Sequence, residues 1–271
     1  MATQKKRRLA ALSGDELAEL FGLIGGSDSV ELKVTLPAAA QQATIRALAL
    51  DPLAAQIRQV FFFDTPGLLL DKAGVSVRAR RIEGRSGDTV VKLRPVVPTN
   101  LPDEIRRSER VKVEIDAMPG GYVCSASIKD KASNAEVRDA IHGERPIRKL
   151  FTKEQRTLLA AHTPDGLGLD DLNVLGPVFV LKLEFEPREL DRRVDAEMWL
   201  LPDGSRILEL STKCQPAVSG RIARTSSAQV ETLAIGARAA GGRQKRCSPG
   251  SITVAGWPIS VVTCRAALAE R

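Results

Sequence analysis

The stretch VFFFDTPGLLLDKAGVSVRARR, Val60 to Arg81, contains the pattern that decides the fold. Its first part reads as a strand followed by a turn, and its last part alternates Ser76, Arg78 and Arg80 with apolar residues. Strict alternation of two residue classes is typical of a β-strand with two different faces. One face of this strand therefore carries arginines. That face either points to solvent, which is common, or lines a basic interior that holds an anion.

The composition is that of an ordinary globular protein. The chain has 271 residues, of which 43% are hydrophobic and 27% are charged, enough for a sizeable core. No window approaches the roughly 20 apolar residues that a membrane-spanning helix needs. The basic start, MATQKKRRLAALSGDEL, is not followed by the apolar core of a signal peptide. We therefore expect a soluble, cytoplasmic protein with no membrane partner.

The cysteines and histidines do not predict a zinc site or a disulfide framework. The four cysteines lie far apart without a CxxC pair, and the chain has only two histidines.

The net charge of +7 and the isoelectric point of about 9.4 suggest an anionic partner. The candidates are a nucleic acid, a membrane surface or a phosphorylated small molecule. An aromatic content of 4% offers few stacking platforms, and no groove-reading motif is present, which argues against nucleic acid. A small phosphate-bearing ligand is therefore favoured.

Residues 13–24, SGDELAELFGLI, predict a short amphipathic helix. Ser13 and Glu16 have the spacing of a capping box, and two glycines follow the last apolar residue. We assign this helix to an N-terminal extension, residues 1–27.

From Ser29 onward the pattern is rich in strands. SVELKVTL, residues 29–36, alternates polar and apolar side chains over eight positions before a proline. Further strands are predicted in QIRQVFFFDT, in the arginine strand, in DTVVKLRP, RSERVKVEID and VFVLKLEFE, and in both arms of VDAEMWLLPDGSRILELSTK around a Pro-Asp-Gly turn. Helices are predicted in AAAQQATIRALAL, and in SNAEVRDAI and TKEQRTLLAAH, each of which has a capping box.

The charged faces of these strands recur along the whole chain. If the strands close into a barrel, one face lines the interior and the other is covered by helices or water. The helices with apolar stripes are suited to cover an apolar outer face. The sequence thus predicts an α+β fold with an antiparallel eight-stranded β-barrel and flanking helices.

These segments resemble the CYTH proteins, also called triphosphate tunnel metalloenzymes, whose name joins a class of adenylate cyclase with thiamine triphosphatase. VELKVTL looks like the opening E-x-E-x-K strand of that family, and FFFDTPGLLLDKAGVSVRARR like its Y-F-D-T-P to R-x-R block. VVKLRP resembles its T-L-K strand and LELSTK its closing acidic strand. The resemblance covers residues 28–214, which we assign to one CYTH-like domain.

The resemblance implies a tunnel in which basic side chains bind a triphosphate and acidic side chains bind Mg²⁺ or Mn²⁺. Arginine offers two-pronged donors to phosphate oxygens, and carboxylates are hard ligands that suit these ions. Positioning and charge stabilisation provide most of the catalysis in phosphoryl transfer.

Carried over by position, the resemblance assigns roles to individual residues. Lys33 and Arg80 are the expected catalytic residues. The expected substrate-binding residues are Lys33, Arg78, Arg80, Lys92, Arg94, Arg110 and Lys182, and the expected metal ligands are Glu31, Glu114 and Glu209.

Three positions depart from the family pattern. Ser29, Lys112 and Ser211 stand where the resemblance expects carboxylates, which weakens the predicted metal site more than the phosphate site. Asp64 and Gly74 are assigned structural roles in turns instead.

The expected function is metal-dependent hydrolysis of a triphosphate-containing small molecule, with inorganic triphosphate favoured because no base-recognition motif is present. One alternative is an adenylate cyclase that makes cyclic AMP from ATP. Another is a catalytically weakened module that binds polyphosphate or a nucleotide. The oligomeric state is left open.

Residues 215–271 form a third zone. This segment carries most of the excess positive charge and lacks a sustained helix or strand period, so we expect a flexible basic tail.

Overall fold

The computed structural model describes residues 21–118, 121–163, 166–187 and 192–216. Its described part contains one closed β-barrel of nine strands. The strands are β1 Ser29–Leu36, β2 Gln56–Asp64, β3 Val75–Ile82, β4 Arg85–Leu93, β5 Val111–Met118, β6 Gly121–Ala132, β7 Asn173–Phe185, β8 Val194–Leu200 and β9 Arg206–Cys214. Around the barrel they follow the order β1-β5-β6-β4-β3-β2-β7-β8-β9, and β9 returns to β1.

The prediction of eight antiparallel strands is close but wrong in two respects. β6 was missed because its sequence, GYVCSASIKDKA, alternates small residues and shows little contrast between its faces. The barrel is also mixed, since β1 and β5 pair in parallel while the other pairs are antiparallel. A closed ring with an odd number of strands cannot alternate direction throughout, so at least one parallel pair is required.

Five α-helices lie between the strands of the described chain. They are α1 Ala38–Ala47, α2 Leu69–Lys72, α3 Asp103–Arg106, α4 Asn134–Ile141 and α5 Lys153–Ala160. Two of the three predicted capping boxes are confirmed, and the third, at Ser13 and Glu16, lies outside the described residues. Ser133 accepts from the Glu136 N–H at the start of α4, and Thr152 accepts from the Gln155 N–H at the start of α5.

The apolar faces of the strands point outward and are covered by the helices. The main core packs Val77, Val91 and Ile128 of the strands with Val137 of α4 and Leu158 of α5, all buried. A smaller core places Ile45 of α1 against the outer faces of β1, β8 and β9. Burial of these faces is the principal stabilising contribution in such a two-layer arrangement.

A buried amide anchors α5 to the barrel. The Gln155 side chain donates to the carbonyl oxygens of Thr89 and Ile128 at 3.2 Å each, while its own oxygen accepts the Thr152 N–H. The amide thus forms hydrogen bonds with both the barrel and the helix, and the polar atoms of this fully buried side chain need such partners.

The charged faces of the strands point into the barrel. Arg58 of β2 approaches Glu197 of β8 at 3.6 Å, although β7 separates the two strands. Lys92 of β4 approaches Asp116 of β5 at 3.4 Å, although β6 lies between them. Such contacts are possible only across the interior. The arginine face of the opening stretch therefore lines the inside of the barrel.

One patch of the interior is apolar instead. Val60 and Phe62 of β2 share a buried cluster with Val178 and Val180 of β7 and with Trp199 of β8. Val60 lies opposite Arg80 and Phe62 opposite Arg78 in the β2–β3 register. The apolar patch thus lies beside the arginines, and β2, β7 and β8 carry charged residues, Arg58, Lys182 and Glu197, next to it on the same interior face.

The predicted structural roles of Asp64 and Gly74 agree with the geometry. The fully buried Asp64 carboxylate accepts the backbone N–H groups of Thr65, Leu70 and Asp71 at 2.7 to 3.0 Å, which caps α2. Gly74 has a φ of +73°, and its carbonyl accepts the Arg94 N–H, so this turn connects α2 to β3 and contacts the end of β4.

The predictions for the two ends of the chain lie mostly outside the described residues. Residues 21–25 are helical and coincide with the end of the helix predicted over 13–24, while residues 1–20 and 217–271 are not described. Within the described residues, no helix has both the length and the apolar character needed to cross a membrane.

We expect Asp64→Ala to lower the free energy of unfolding by roughly 3 kcal/mol, because three backbone N–H groups lose a charged acceptor inside the protein. Urea unfolding followed by circular dichroism measures this loss. Asp51→Ala is the matched control, since the exposed Asp51 carboxylate accepts one N–H, that of Leu53. A loss as small as that of the control would contradict the role given to Asp64.

Candidate functional site

The interior faces of the strands bring most of the predicted site residues together inside the barrel. The cations on these faces are Lys33, Arg58, Arg78, Arg80, Lys92, Lys112, Lys129, Lys131, Lys182 and Lys213, with Arg94 just beyond β4, and the carboxylates are Glu31, Asp88, Glu114, Asp116, Glu184, Asp195, Glu197 and Glu209. The residues are neighbours through strand pairing: Glu31 is the register partner of Asp116, and Lys33 that of Ser211.

Six of these residues form the Asp116 cluster inside the barrel, where β1, β4, β5 and β9 face one another. They are Glu31, Lys33, Lys92, Arg94, Asp116 and Glu209. The fully buried Asp116 carboxylate lies 2.7 Å from Arg94 Nη2, 3.3 Å from Lys33 Nζ and 3.4 Å from Lys92 Nζ. One aspartate on β5 thus holds cations of β1 and β4. Such a group is stable in the interior only because each charge has a partner.

Lys33 is surrounded by carboxylates. Its ammonium nitrogen lies 3.1 Å from Glu31, 3.3 Å from Asp116 and 3.7 Å from Glu209. Burial by itself would lower the pKa of Lys33, but Glu209, Glu31 and Asp116 outweigh it and raise the pKa above its usual value. Lys33 is therefore a firmly protonated ammonium in this arrangement.

The other members of the cluster show the opposing effects of burial and charge. Burial would raise the pKa of Asp116, yet Lys33, Lys92 and Arg94 lower it to about 2. Burial lowers the pKa of Lys92 and of Arg94 despite their contact with Asp116. Burial also raises the pKa of Glu209, against the attraction of Lys33.

Glu114 is held separately. Its carboxylate forms an ion pair with Lys213 of β9 and accepts the Ser29 hydroxyl at 3.2 Å. Burial opposes ionisation, but Lys213 lowers the pKa of Glu114 below its ordinary value.

The two arginines of β3 differ in their partners. Arg80 forms a two-pronged pair with Asp88 of β4, at 2.7 and 2.6 Å, and Lys129 of β6 approaches the same carboxylate at 3.2 Å. Arg78 forms no ion pair within the described chain, and its buried Nε has no hydrogen-bond partner there. Burial, followed by repulsion from Arg80, lowers the pKa of Arg78 to about 10.

Lys182 lies on the other side of the interior. Its ammonium contacts Asp195 at 2.6 Å and Glu184 at 3.3 Å, so it too is paired. Arg58 is almost fully buried and donates to Gln56 Oε1 at 2.9 and 3.1 Å.

Arg110 does not join the other predicted substrate-binding residues. Residues 108–111 form a turn before β5, where strand alternation does not apply. The Arg110 guanidinium instead contacts Asp130 at 2.8 Å and Glu154 of α5 at 3.2 Å, on the outside of the barrel. On β5 itself the interior face carries Lys112, Glu114 and Asp116.

Sequence reasoning missed several interior residues, of which Asp116 and Asp88 matter most. Both extend an alternation that had been recognised: Asp116 follows Glu114 by two positions on β5, and Asp88 precedes Val90 by two on β4. Extending each alternation of polar and apolar residues by two more positions would have predicted both aspartates. Lys129 was missed together with its strand, β6.

The predicted metal ligands do not fit a divalent ion as they are arranged. Glu31 and Glu209 face Lys33, whose ammonium lies between them and Asp116, and Glu114 faces Lys213. Across the described ranges, no group of three or more His, Cys, Asp or Glu residues is placed to hold a metal ion. The oxygen donors are of the right type, but lysines already neutralise them.

We expect Asp116→Asn to lower the free energy of unfolding at pH 7 by about 2 kcal/mol, because the variant loses the charge that three cations share. The native pKa of about 2 lies below the ordinary value, so the ionised carboxylate stabilises the fold above about pH 4. This stabilisation is lost as the pH falls through about 2. The difference from wild type should therefore shrink over that interval in urea unfolding.

Asp103→Asn is the control for this experiment, because Asp103 forms exposed ion pairs on α3 and should change stability little. A deficit in Asp116→Asn that stayed constant from pH 7 to pH 2 would argue against the electrostatic role.

Comparison with known proteins bears on the fold. No family model and no curated protein matches this sequence. Several solved structures are similar, including the following two. A proposed adenylate cyclase from Bacillus halodurans has a TM-score of 0.52 at 13% identity over 77% of this chain and 91% of its own. HpAC1 from Hippeastrum, a proposed adenylyl cyclase with a dominant triphosphatase activity, has a TM-score of 0.51 at 14% identity over 76% of this chain and 87% of its own.

At this level of identity the similarity concerns the fold. It agrees with the resemblance carried by the opening strand, the FDTP block and the arginine strand. The chain therefore has the barrel fold of these two solved structures.

Proposed function

We propose that the barrel interior binds a triphosphate-containing anion and hydrolyses it, with inorganic triphosphate as the favoured substrate. The observation that carries the proposal is Arg78, a guanidinium enclosed among other interior cations without an ion-pair partner in the described chain. An enclosed charge with an unsatisfied N–H is costly, and phosphate oxygens would satisfy both.

The neighbours of Arg78 suit a polyanion. Arg80 and Lys92 lie on the adjacent strands β3 and β4, and Arg94, just beyond the end of β4, contacts the same Asp116 as Lys92. Guanidinium groups bind phosphate oxygens by two-pronged hydrogen bonds, and ammonium groups add mobile point charges. Several such groups on one wall can neutralise successive phosphates of a chain.

Hydrolysis requires water to attack one phosphorus while the bridging P–O bond breaks and the leaving phosphate takes the electron pair. The contribution of this site is to fix the anion and to stabilise the negative charge on its oxygens. Lys33 and Arg80, the proposed catalytic residues, are both held by carboxylates in the ligand-free arrangement. A bound anion has to compete with Asp116 and Asp88 for them.

Dependence on Mg²⁺ or Mn²⁺ remains a prediction of the sequence resemblance. Because the predicted ligands Glu31, Glu114 and Glu209 face lysines, we derive no step through a metal ion.

Two alternatives have specific support. The description of both similar structures as proposed cyclases favours cyclisation of ATP, in which the ribose hydroxyl attacks the α-phosphate. The pairing of the interior carboxylates with lysines, together with Ser29 and Ser211 in place of acids, favours a module that binds without turnover. The triphosphatase activity of HpAC1 supports hydrolysis as the leading proposal.

The deciding experiment offers triphosphate, ATP and thiamine triphosphate to the purified full chain, with Mg²⁺, with Mn²⁺ and with a chelator. Release of phosphate supports hydrolysis, whereas cyclic AMP with pyrophosphate identifies a cyclase. Binding without any product identifies a binding module. Neither binding nor turnover of any of the three compounds would refute the proposal.

We expect Arg78→Ala to weaken triphosphate binding at least about tenfold, because it removes a charge-assisted contact in an enclosed site. Arg81→Ala is the matched control. Arg81 is on the same strand but on the opposite face, where it donates to Gln59 at 2.9 Å. Isothermal titration calorimetry at constant ionic strength measures the triphosphate affinity of both variants. Equal losses in the two variants would indicate that the anion binds outside the barrel.

A further inference from the structure

The ammonium of Lys33 occupies a position that is unusual for a phosphate-binding lysine. It lies within 3.7 Å of the carboxylates of Glu31, Asp116 and Glu209, and the four side chains are between 0 and 14% exposed. Glu31 is the nearest carboxylate, at 3.1 Å, whereas Asp116 Oδ1 at 3.3 Å and Glu209 at 3.7 Å pair with the ammonium by charge without a hydrogen bond. The charge of Lys33 is therefore shared among three protein carboxylates.

The charges around this position already balance. Asp116 also contacts Arg94 at 2.7 Å and Lys92 at 3.4 Å, so three carboxylates face three cations in the Asp116 cluster. A divalent ion in the same place would leave the cluster strongly positive and would repel Lys33. At such short distances in an enclosed site, this repulsion is expensive.

The next carboxylates have cations of their own, because Glu197, the register partner of Glu209, faces Arg58, and Glu114 faces Lys213. The remaining polar neighbours are hydroxyls. Ser211 is the register partner of Lys33 on β9, and Ser29, two positions before Glu31 on β1, donates to Glu114. A hydroxyl does not compensate a second positive charge as a carboxylate does. Nothing next to Lys33 on these strands therefore favours a doubly charged ion over the ammonium.

From this geometry we infer that Lys33 is the resident cation of the three-carboxylate position formed by Glu31, Asp116 and Glu209. The position takes no divalent metal ion as long as Lys33 is present. One further consequence rests on the proposed function: the interior binds a triphosphate in the absence of any metal ion. The cationic side chains then provide all of the charge that binding needs.

The three carboxylates are not placed to hold a metal ion as they are arranged, and replacing the lysine should allow them to close around one. We expect Lys33→Met to bind Mn²⁺ at least about ten times more tightly than wild type, because three enclosed carboxylates lose their ammonium. Titration of Mn²⁺ followed by electron paramagnetic resonance measures the free ion directly. Lys129→Met is the matched control. Lys129 is also an interior lysine but pairs with one carboxylate, that of Asp88, so its loss should leave the Mn²⁺ affinity unchanged.

A second variant ties the gain to the carboxylates. Adding Glu209→Gln to Lys33→Met should abolish the gained affinity, whereas a gain that survived would place the ion elsewhere and overturn the inference. The wild-type protein decides the matter if Lys33→Met does not fold. If wild type binds Mn²⁺ tightly and Glu209→Gln weakens that binding, the ammonium does not exclude the ion and the inference is wrong. If wild type binds no Mn²⁺ over the same range of concentrations, the inference is supported.

A measurement of triphosphate binding distinguishes this inference from the proposed function. We expect wild type to bind inorganic triphosphate equally well with Mn²⁺ and with a chelator. Binding that required Mn²⁺ and was lost in Glu209→Gln would overturn the inference. Failure to bind triphosphate under either condition would refute the proposed function, while the Mn²⁺ comparison would still decide the role of Lys33.

Discussion

The interior depends on a single buried aspartate. Asp116 lies on β5, between the lysine of β1 and the two cations at the end of β4, and it contacts all three. Without this charge, three enclosed cations would repel one another across a space that water screens poorly. The parallel pairing of β1 with β5 is what places Asp116 beside Glu31 and Lys33. Strand topology and electrostatics therefore depend on each other in this protein.

The fold inverts the usual assignment of faces in a small barrel, whose interior side chains commonly form the core. Here the apolar faces are directed outward, where α1, α4 and α5 cover them, and the inside is left to polar groups. The apolar patch formed by Val60, Phe62, Val178, Val180 and Trp199 takes up only one stretch of β2, β7 and β8, beside the arginines of β3.

Local alternation was sufficient to predict most strands and their charged faces, whereas the expectation that Lys33, Arg78, Arg80, Lys92 and Arg94 share one interior came from the family resemblance. Alternation was not sufficient to predict which acid neutralises which cation, because those contacts depend on the order of strands that are distant in sequence. β6 was missed because small side chains leave little contrast between its faces. Arg110 was misplaced because a periodicity argument was extended into a turn.

The pairing of β1 with β9 has a consequence for biosynthesis. The first and last strands of the described barrel are neighbours, so a chain emerging from the ribosome cannot close the ring until β9 has been made. Until then β1 can pair with β5 alone, and its other edge is open. A barrel filled with apolar side chains would expose an adhesive surface at that stage. This one exposes lysines, arginines and carboxylates to water, so the nascent sheet can remain soluble while it waits for its last strand.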